Sequence, residues 1–281
     1  MDVVVVPRCP VEIVREIFEI AAQTDLHTSC SLSLVCSASR AWTEPILYET
    51  VILESARALR AFALAIATKP AGFVARRVRH LGIFAPGPFP AIHRVLAACA
   101  GVTSFACGFS LPHYIKQYHG AAPGLLPREQ HLLGLSCRDG WDPSVLGRGL
   151  THLRMHLNPS SWDPTRLADL AQFQALTHLA IVYRQSDGLH ALLPMLRSVL
   201  GAVPGLQLLL VQVLGARLPS GSTTLVDDLN QLASHELHDL RLVAEAAPFS
   251  TSRQWESASR GGVSIWSEAE RQVHARIHGG W

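Results

Sequence analysis

Apolar residues in this chain recur with two periods. Between Pro10 and Ala22 they fall three and four apart, at Ile13, Val14, Ile17, Phe18, Ile20 and Ala21, with Arg15, Glu16, Glu19 and Gln23 left for solvent. That spacing predicts an amphipathic helix, started by Pro10 and favoured in its early turns by Glu12 and Glu16. The polar stretch Thr24–Thr28 predicts a turn. A second helix is expected over Leu32, Leu34, Val35, Cys36 and Ala38, ending after Trp42 at Glu44-Pro45.

Beyond that point short apolar runs alternate with helical patterns. Thr50–Leu53 predicts a first strand, and Ala56–Thr68 a helix stopped by Lys69-Pro70. A unit then recurs: an apolar residue, two spacers, leucine or an equivalent, one spacer, another apolar residue. It occurs at Val78–Ile83, Val102–Cys107, Leu150–Met155, Leu176–Ile181, Leu206–Val211 and Leu237–Leu242, with a weaker copy at Leu132–Leu135. The starts lie about 20 to 31 residues apart, a period typical of repeat proteins. Helices are expected between the strands at Pro90–Ala100, Pro164–Phe173, Leu189–Val203 and Thr224–Ala233. Trp141-Asp142-Pro143 and Trp162-Asp163-Pro164 are built alike, as helix starts with a capping aspartate and a first-turn proline. Strands alternating with helices imply a parallel sheet joined by crossovers. The expected class is therefore α/β. In the tail, Pro248–Ser252 reads as a loop. Ser267 and Glu270 form a capping-box pattern, which predicts a helix over Glu268–Ile277 covering the open end of the stack.

Composition narrows the reading. With 48% hydrophobic and 16% charged residues, the 281-residue chain can bury a large core. A net charge of +2 and aromatics at 7%, not interleaved with a basic stripe, argue against nucleic acid as a partner. The densest basic cluster, Arg76-Arg77-Val78-Arg79, reads as the exposed end of a repeat. The uncharged windows Val95–Ile115 and Ser198–Ala216 contain glycine, proline and polar residues, so neither is expected to span a membrane. The start, Met1–Arg8, lacks the order of a signal peptide. The cysteines, at 9, 30, 36, 99, 107 and 137, show no Cys-x-x-Cys pair, as expected of reduced thiols in a cytoplasmic or nuclear protein.

No nucleophile elbow, phosphate loop or dinucleotide fingerprint is present, so no catalytic residue and no cofactor is assigned. Asp227-Asp228 reads as a solvated helix face. His274 and His278, four apart, lack an obvious third ligand, and no metal site is read from the sequence.

The order Pro10-x-Glu12-Ile13, Ile17-Phe18, Leu32-x-x-Val35-Cys36 and Trp42 resembles the F-box, a small helical docking module. The array behind it resembles leucine-rich repeats over about 49–244. The resemblance divides the chain into a docking module at 1–48 and a leucine-rich-repeat-like domain with a C-terminal cap at 49–281. It implies a non-enzymatic substrate receptor of a Skp–cullin–F-box ubiquitin ligase. A Skp-type adaptor would be held by Pro10, Ile13, Ile17, Phe18, Leu34, Val35, Cys36 and Trp42. Cys9 stands where the family has leucine, and Ala41 where it has a basic residue. A target protein would be held on the concave sheet face by His80, His152, Arg154, His156, His178, Asp239 and Arg241, a mildly basic, histidine-marked surface. The alternatives are a stand-alone repeat scaffold whose helical lid docks nothing, an α/β enzyme with an unrecognised site and, for the array, an ordinary open α/β sheet.

Overall fold

The structure is a computed structural model that describes residues 9–118, 127–137, 146–156, 169–184, 188–215 and 225–278. Both Trp-Asp-Pro triplets, the Met1–Arg8 start and most of 164–173 lie outside these residues.

The chain opens with three helices, α1 (Val11–Thr24), α2 (Leu26–Ser33) and α3 (Ser37–Leu47). The expected turn at Thr24–Thr28 is mostly helical, because Asp25 caps α2: its Oδ1 accepts the Thr28 N–H at 2.8 Å. The expected second helix is instead interrupted at Leu34–Cys36. Cys36 starts α3 through a reciprocal cap with Ser39, whose Oγ accepts the Cys36 N–H at 3.0 Å. Pro45 does not end α3; it lies in its last turn, where one lost backbone bond costs little.

Eight parallel strands follow: β1 (Thr50–Leu53), β2 (His80–Ile83), β3 (Ser104–Cys107), β4 (Glu129–Leu132), β5 (His152–His156), β6 (His178–Arg184), β7 (Leu208–Leu214) and β8 (Leu242–Ala246). They form one sheet in strictly sequential order. Between them lie α4 (Ala56–Ala67), α5 (Phe73–Arg77), α6 (Phe89–Ala98), α7 (Leu111–Tyr118), α8 (Gly188–Ala202) and α9 (Leu225–His235). The protein is thus α/β with an all-parallel sheet. Each turn of chain begins alike. The carbonyls of Glu49, Arg79, Thr103, Arg128, Thr151 and Thr177 each accept two consecutive N–H groups at the start of the next strand.

Alternation along the strands gives the sheet two unlike faces. One ladder runs Val51, Leu81, Phe105, Gln130, Leu153, Leu179, Leu209, Leu242; a second runs Leu53, Ile83, Cys107, Leu132, Met155, Ile181, Val211, Ala244. All but Gln130 enter the main core, against Leu59 and Ala63 of α4, Ile92 and Leu96 of α6, Leu196 of α8 and Leu229 of α9. The register corrects two repeats. Gln130, not a residue of Leu132–Leu135, stands in the central row of β4, and Leu242, not Leu240, in that of β8. Arg76 and Arg77 end the short helix α5 rather than a strand approach.

The tail departs furthest from expectation. It forms α10 (Thr251–Ser259), capped by Ser250, and α11 (Ile265–His278), which starts before the predicted capping box. Both lie across the sheet face, and the last turn of α11 reaches the end strand β8, where Arg276 donates to the Leu242 carbonyl at 2.6 Å. Ile265, Trp266, Ala269 and Val273 pack on Ala180, Leu208, Leu210 and Val243, the face of the sheet opposite the main core. Gly82 makes room for Trp255, since a Cβ there would come within 2.6 Å of the indole Cζ3. Among the described residues no helix is long and apolar enough to cross a membrane.

Candidate functional site

Two regions concentrate residues of functional interest. The first is the outer side of the helical module. In α1 the apolar stripe splits. Val14, Phe18 and Ala22 turn inward to varying degrees, while Ile13, Ile17 and Ile20 face solvent. Ile17 is 56% exposed; Leu34 and Val35, in the bend between α2 and α3, are 76% and 63% exposed. Pro10 and Cys36 are also exposed. Of the eight residues implied for adaptor docking, Phe18 and Trp42 behave differently. They are half-buried and meet edge to face, with centroids 6.1 Å apart, as the seam between α1 and α3. The module's interior is otherwise poor: among residues 11–47 the buried class holds only Ala22, Ser29, Ser39 and Thr43. Tyr48, tilted against Phe62, edge to face with Phe73 and lying under the Lys69 ammonium, ties the end of α3 to the sheet domain, and Lys69 also pairs with Glu44.

The second region is the sheet face beneath the tail. One row across it reads Thr50, His80, Ser104, Glu129, His152, His178, Leu208; the next reads Ile52, Gly82, Ala106, His131, Arg154, Ala180, Leu210, Val243. His80, His152, Arg154, His156 and His178 do share this face, as their alternation required. They do not form a free surface, because α10 and α11 cross this face. Arg154 is fully buried, His178 is buried, and His80, His152 and His156 are half-buried. Asp239 and Arg241 stand apart, before β8. Their side chains pair at 2.7 Å, and Arg241 also donates to the Leu206 carbonyl at 3.2 Å.

Many polar groups of the face find partners in the sheet or the tail, while His80 Nδ1, His131 Nδ1, Arg154 Nε and His156 Nε2 are buried without one among the described residues. The Trp255 indole donates to Ser104 Oγ at 3.0 Å, and that of Trp266 to Glu129 Oε1 at 2.7 Å. His131 Nε2 lies 2.8 Å from the same Glu129 oxygen. Burial opposes charge on Glu129, but His131 and the Trp266 and Ser104 hydrogen bonds hold its carboxyl below the ordinary range. Burial likewise pushes the His131 imidazole down, so a neutral ring donating to a carboxylate fits both groups. Arg154 reaches the Gln212 amide oxygen and, at 3.4 Å, the Thr251 carbonyl of α10; Gln212 in turn donates to Glu245. Burial, followed by the Arg154 and Arg184 charges, pushes His156 down to about 4.

His152 and His178 lie side by side on β5 and β6, rings stacked with centroids 4.2 Å apart and planes 11° from parallel. Trp266 packs edge-on against both, at 5.2 and 5.7 Å. Each Nδ1 is 2.8 Å from the hydroxyl of the preceding threonine, Thr151 or Thr177. His178 Nε2 is 2.9 Å from Glu270 Oε1 of α11. Burial pushes both imidazoles below their ordinary value, with His178 adding to the effect on His152 and Glu270 opposing it on His178. One ring nitrogen from each histidine and one Glu270 oxygen lie within 4.8 Å of one another, a spacing that can hold a metal ion. Sequence reasoning missed this trio. The available signal was the tetrapeptide Leu-Thr-His-Leu, present at 150–153 and again at 176–179, which sets two histidines side by side in a sequential parallel sheet. Nothing in the sequence placed Glu270 opposite them.

An open groove of roughly 550 Å³ runs along β1, lined by Thr50–Glu54, Leu26, Tyr48, Phe62, Arg253 and Glu256. Compared with known proteins, the chain matches no protein-family model and no curated protein.

Proposed function

We propose that this protein is a docking receptor: its N-terminal helices bind a Skp-type adaptor of a cullin ubiquitin ligase, and its sheet domain presents a target protein. One observation carries the reading. A module of about forty residues leaves Ile13, Ile17, Ile20, Leu34 and Val35 in solvent while burying almost no apolar side chain of its own. A lid serving only the sheet domain would turn those residues toward the sheet. The residues read from the F-box resemblance at this surface are the exposed ones, with Phe18 and Trp42 acting as the seam that holds α1 on α3. Target recognition on this reading falls to surfaces the tail leaves open, among them the groove beside β1, rather than to the covered histidines.

The test is direct binding of the purified full chain to a purified Skp-type adaptor by calorimetry. Binding in the micromolar range or tighter is expected, with Ile17→Asp and Leu34→Asp each weakening it at least tenfold. Both sites are exposed, so circular dichroism is expected to stay unchanged. Absence of wild-type binding, or binding indifferent to both substitutions, rejects the reading.

A further inference from the structure

The repeated Leu-Thr-His-Leu segments pose a question of proton accounting. Thr151 Oγ1 lies 3.0 Å from the Arg128 carbonyl, which can only accept, so the single hydroxyl proton goes there. Toward His152 Nδ1, 2.8 Å away, the same oxygen therefore accepts, and Nδ1 carries the ring proton. One strand on, Thr177 Oγ1 donates to the Thr151 carbonyl at 3.3 Å and faces His178 Nδ1 at 2.8 Å. In both neutral rings Nε2 is then a bare lone pair. Yet His178 Nε2 stands 2.9 Å from a Glu270 carboxylate oxygen. A lone pair facing an anion at that distance repels it unless a cation lies between or beside them.

We propose that His152, His178 and Glu270 form a divalent metal site, of the class that suits Zn²⁺, fastening α11 to the sheet. Two imidazoles and one carboxylate, with solvent as a fourth ligand, are a donor set that borderline first-row cations accept. Thr151 and Thr177 are positioning residues: each fixes the tautomer that turns Nε2 toward the ion, the part that outer hydrogen bonds play at histidine metal sites. Bonds of about 2.0–2.2 Å set tetrahedral donors roughly 3.3 Å apart, so the 2.9 Å His178–Glu270 pair must open slightly, the wider separations, up to 4.8 Å, must close, and the stacked rings must turn until their lone pairs converge. Glu270, its side chain 51% exposed, supplies both the reach and the path for the ion. Trp266 walls the histidines on another side. A proton on His178 Nε2 is the rival occupant. The site is remote in sequence from the docking helices and stands independently of the adaptor reading.

The experiment uses the full, tag-free chain, stripped with chelator and titrated with ZnCl₂, with Co²⁺ as a spectroscopic substitute. One equivalent is expected to bind, with a tetrahedral cobalt spectrum and a raised melting temperature. Glu270→Gln and His178→Ala are each expected to weaken binding at least ~100-fold, and Thr151→Val with Thr177→Val by about 10- to 100-fold. Glu270→Gln supplies an amide N–H donor toward the Nε2 lone pair, so its melting temperature in chelator is expected to be no lower than that of wild type, which separates lost metal from lost fold. His274→Ala with His278→Ala is expected to leave the site intact. No stoichiometric binding up to about 100 µM Zn²⁺, or binding that survives both Glu270→Gln and His178→Ala, overturns the proposal in favour of the proton.

Discussion

The two ends of the chain are both amphipathic helices, and they spend their apolar residues in opposite ways. At the C-terminus, Trp255, Ile265, Trp266, Ala269 and Val273 are all buried against the sheet. At the N-terminus, Ile13, Ile17, Ile20, Leu34 and Val35 stay in water. The difference lies in what each end meets. The tail finds a sheet face with apolar ground at Ala180, Leu208, Leu210 and Val243, and with polar groups whose partners it carries: Glu270 for His178, and the two indoles for Ser104 and Glu129. The leading helices rest mainly on one another, joined to the sheet domain at Tyr48 and the Glu44–Lys69 pair, and three short helices hold too little volume to enclose their own stripes. Apolar surface that is satisfied within the chain builds the fold; apolar surface left over is what a partner can use.

Removing the tail's anchors is the severest test of this contrast. Trp255→Ala and Trp266→Ala are each expected to cost about 3–5 kcal/mol, measured by denaturant unfolding, because each removes a buried indole and leaves a polar partner unsatisfied. A loss under about 1 kcal/mol would mean that the tail lies on the sheet without holding it.

Acid should act on the same face. The folded-state value of His156 lies near 4, below its ordinary value of 6.5, so the folded protein resists protonating this ring. The unfolded chain binds that proton more readily, so this contribution is fully present above about pH 6.5 and is lost as pH falls toward 4. Its size is on the order of 3 kcal/mol. Unfolding midpoints measured between pH 7 and pH 4 should fall, and His156→Phe should flatten the slope. An unaltered slope in that variant assigns the acid sensitivity elsewhere.

Gly82→Ala probes the same interface more gently. Its new Cβ meets the Trp255 ring, and the overlap is expected to cost about 1–3 kcal/mol. Limited proteolysis should then cut first within 251–278; an untouched tail would show that α10 shifts without loss. Smallest of all, Ile17→Asp at the other end is expected to change stability by no more than about 0.5 kcal/mol, read from the same unfolding curves. A larger loss would place Ile17 inside the fold and remove the proposed docking surface.

The sequence alone determined the strands and their sidedness. Alternation in Val78–Ile83, Leu150–Met155, Leu176–Ile181 and Leu206–Val211 marked which residues face the helices, and β2, β5, β6 and β7 lie there, since a strand's period is set by local geometry. It failed at β4 and β8, where Gln130 and Leu242 occupy the central row and neighbouring leucines offered a false register. The apolar stripe of α1 was also legible, because it repeats every turn of one helix, but its division into inward Val14 and Phe18 and outward Ile13 and Ile17 was not. Only the tertiary structure decided where the tail lies, that Glu270 faces His178, and that a face patterned as polar is covered. Those facts depend on contacts between residues about ninety to two hundred positions apart, such as Glu270 with His178 and Thr50 with Ser259. Local periodicity records which way a side chain points, and carries nothing about what arrives from a distance to meet it.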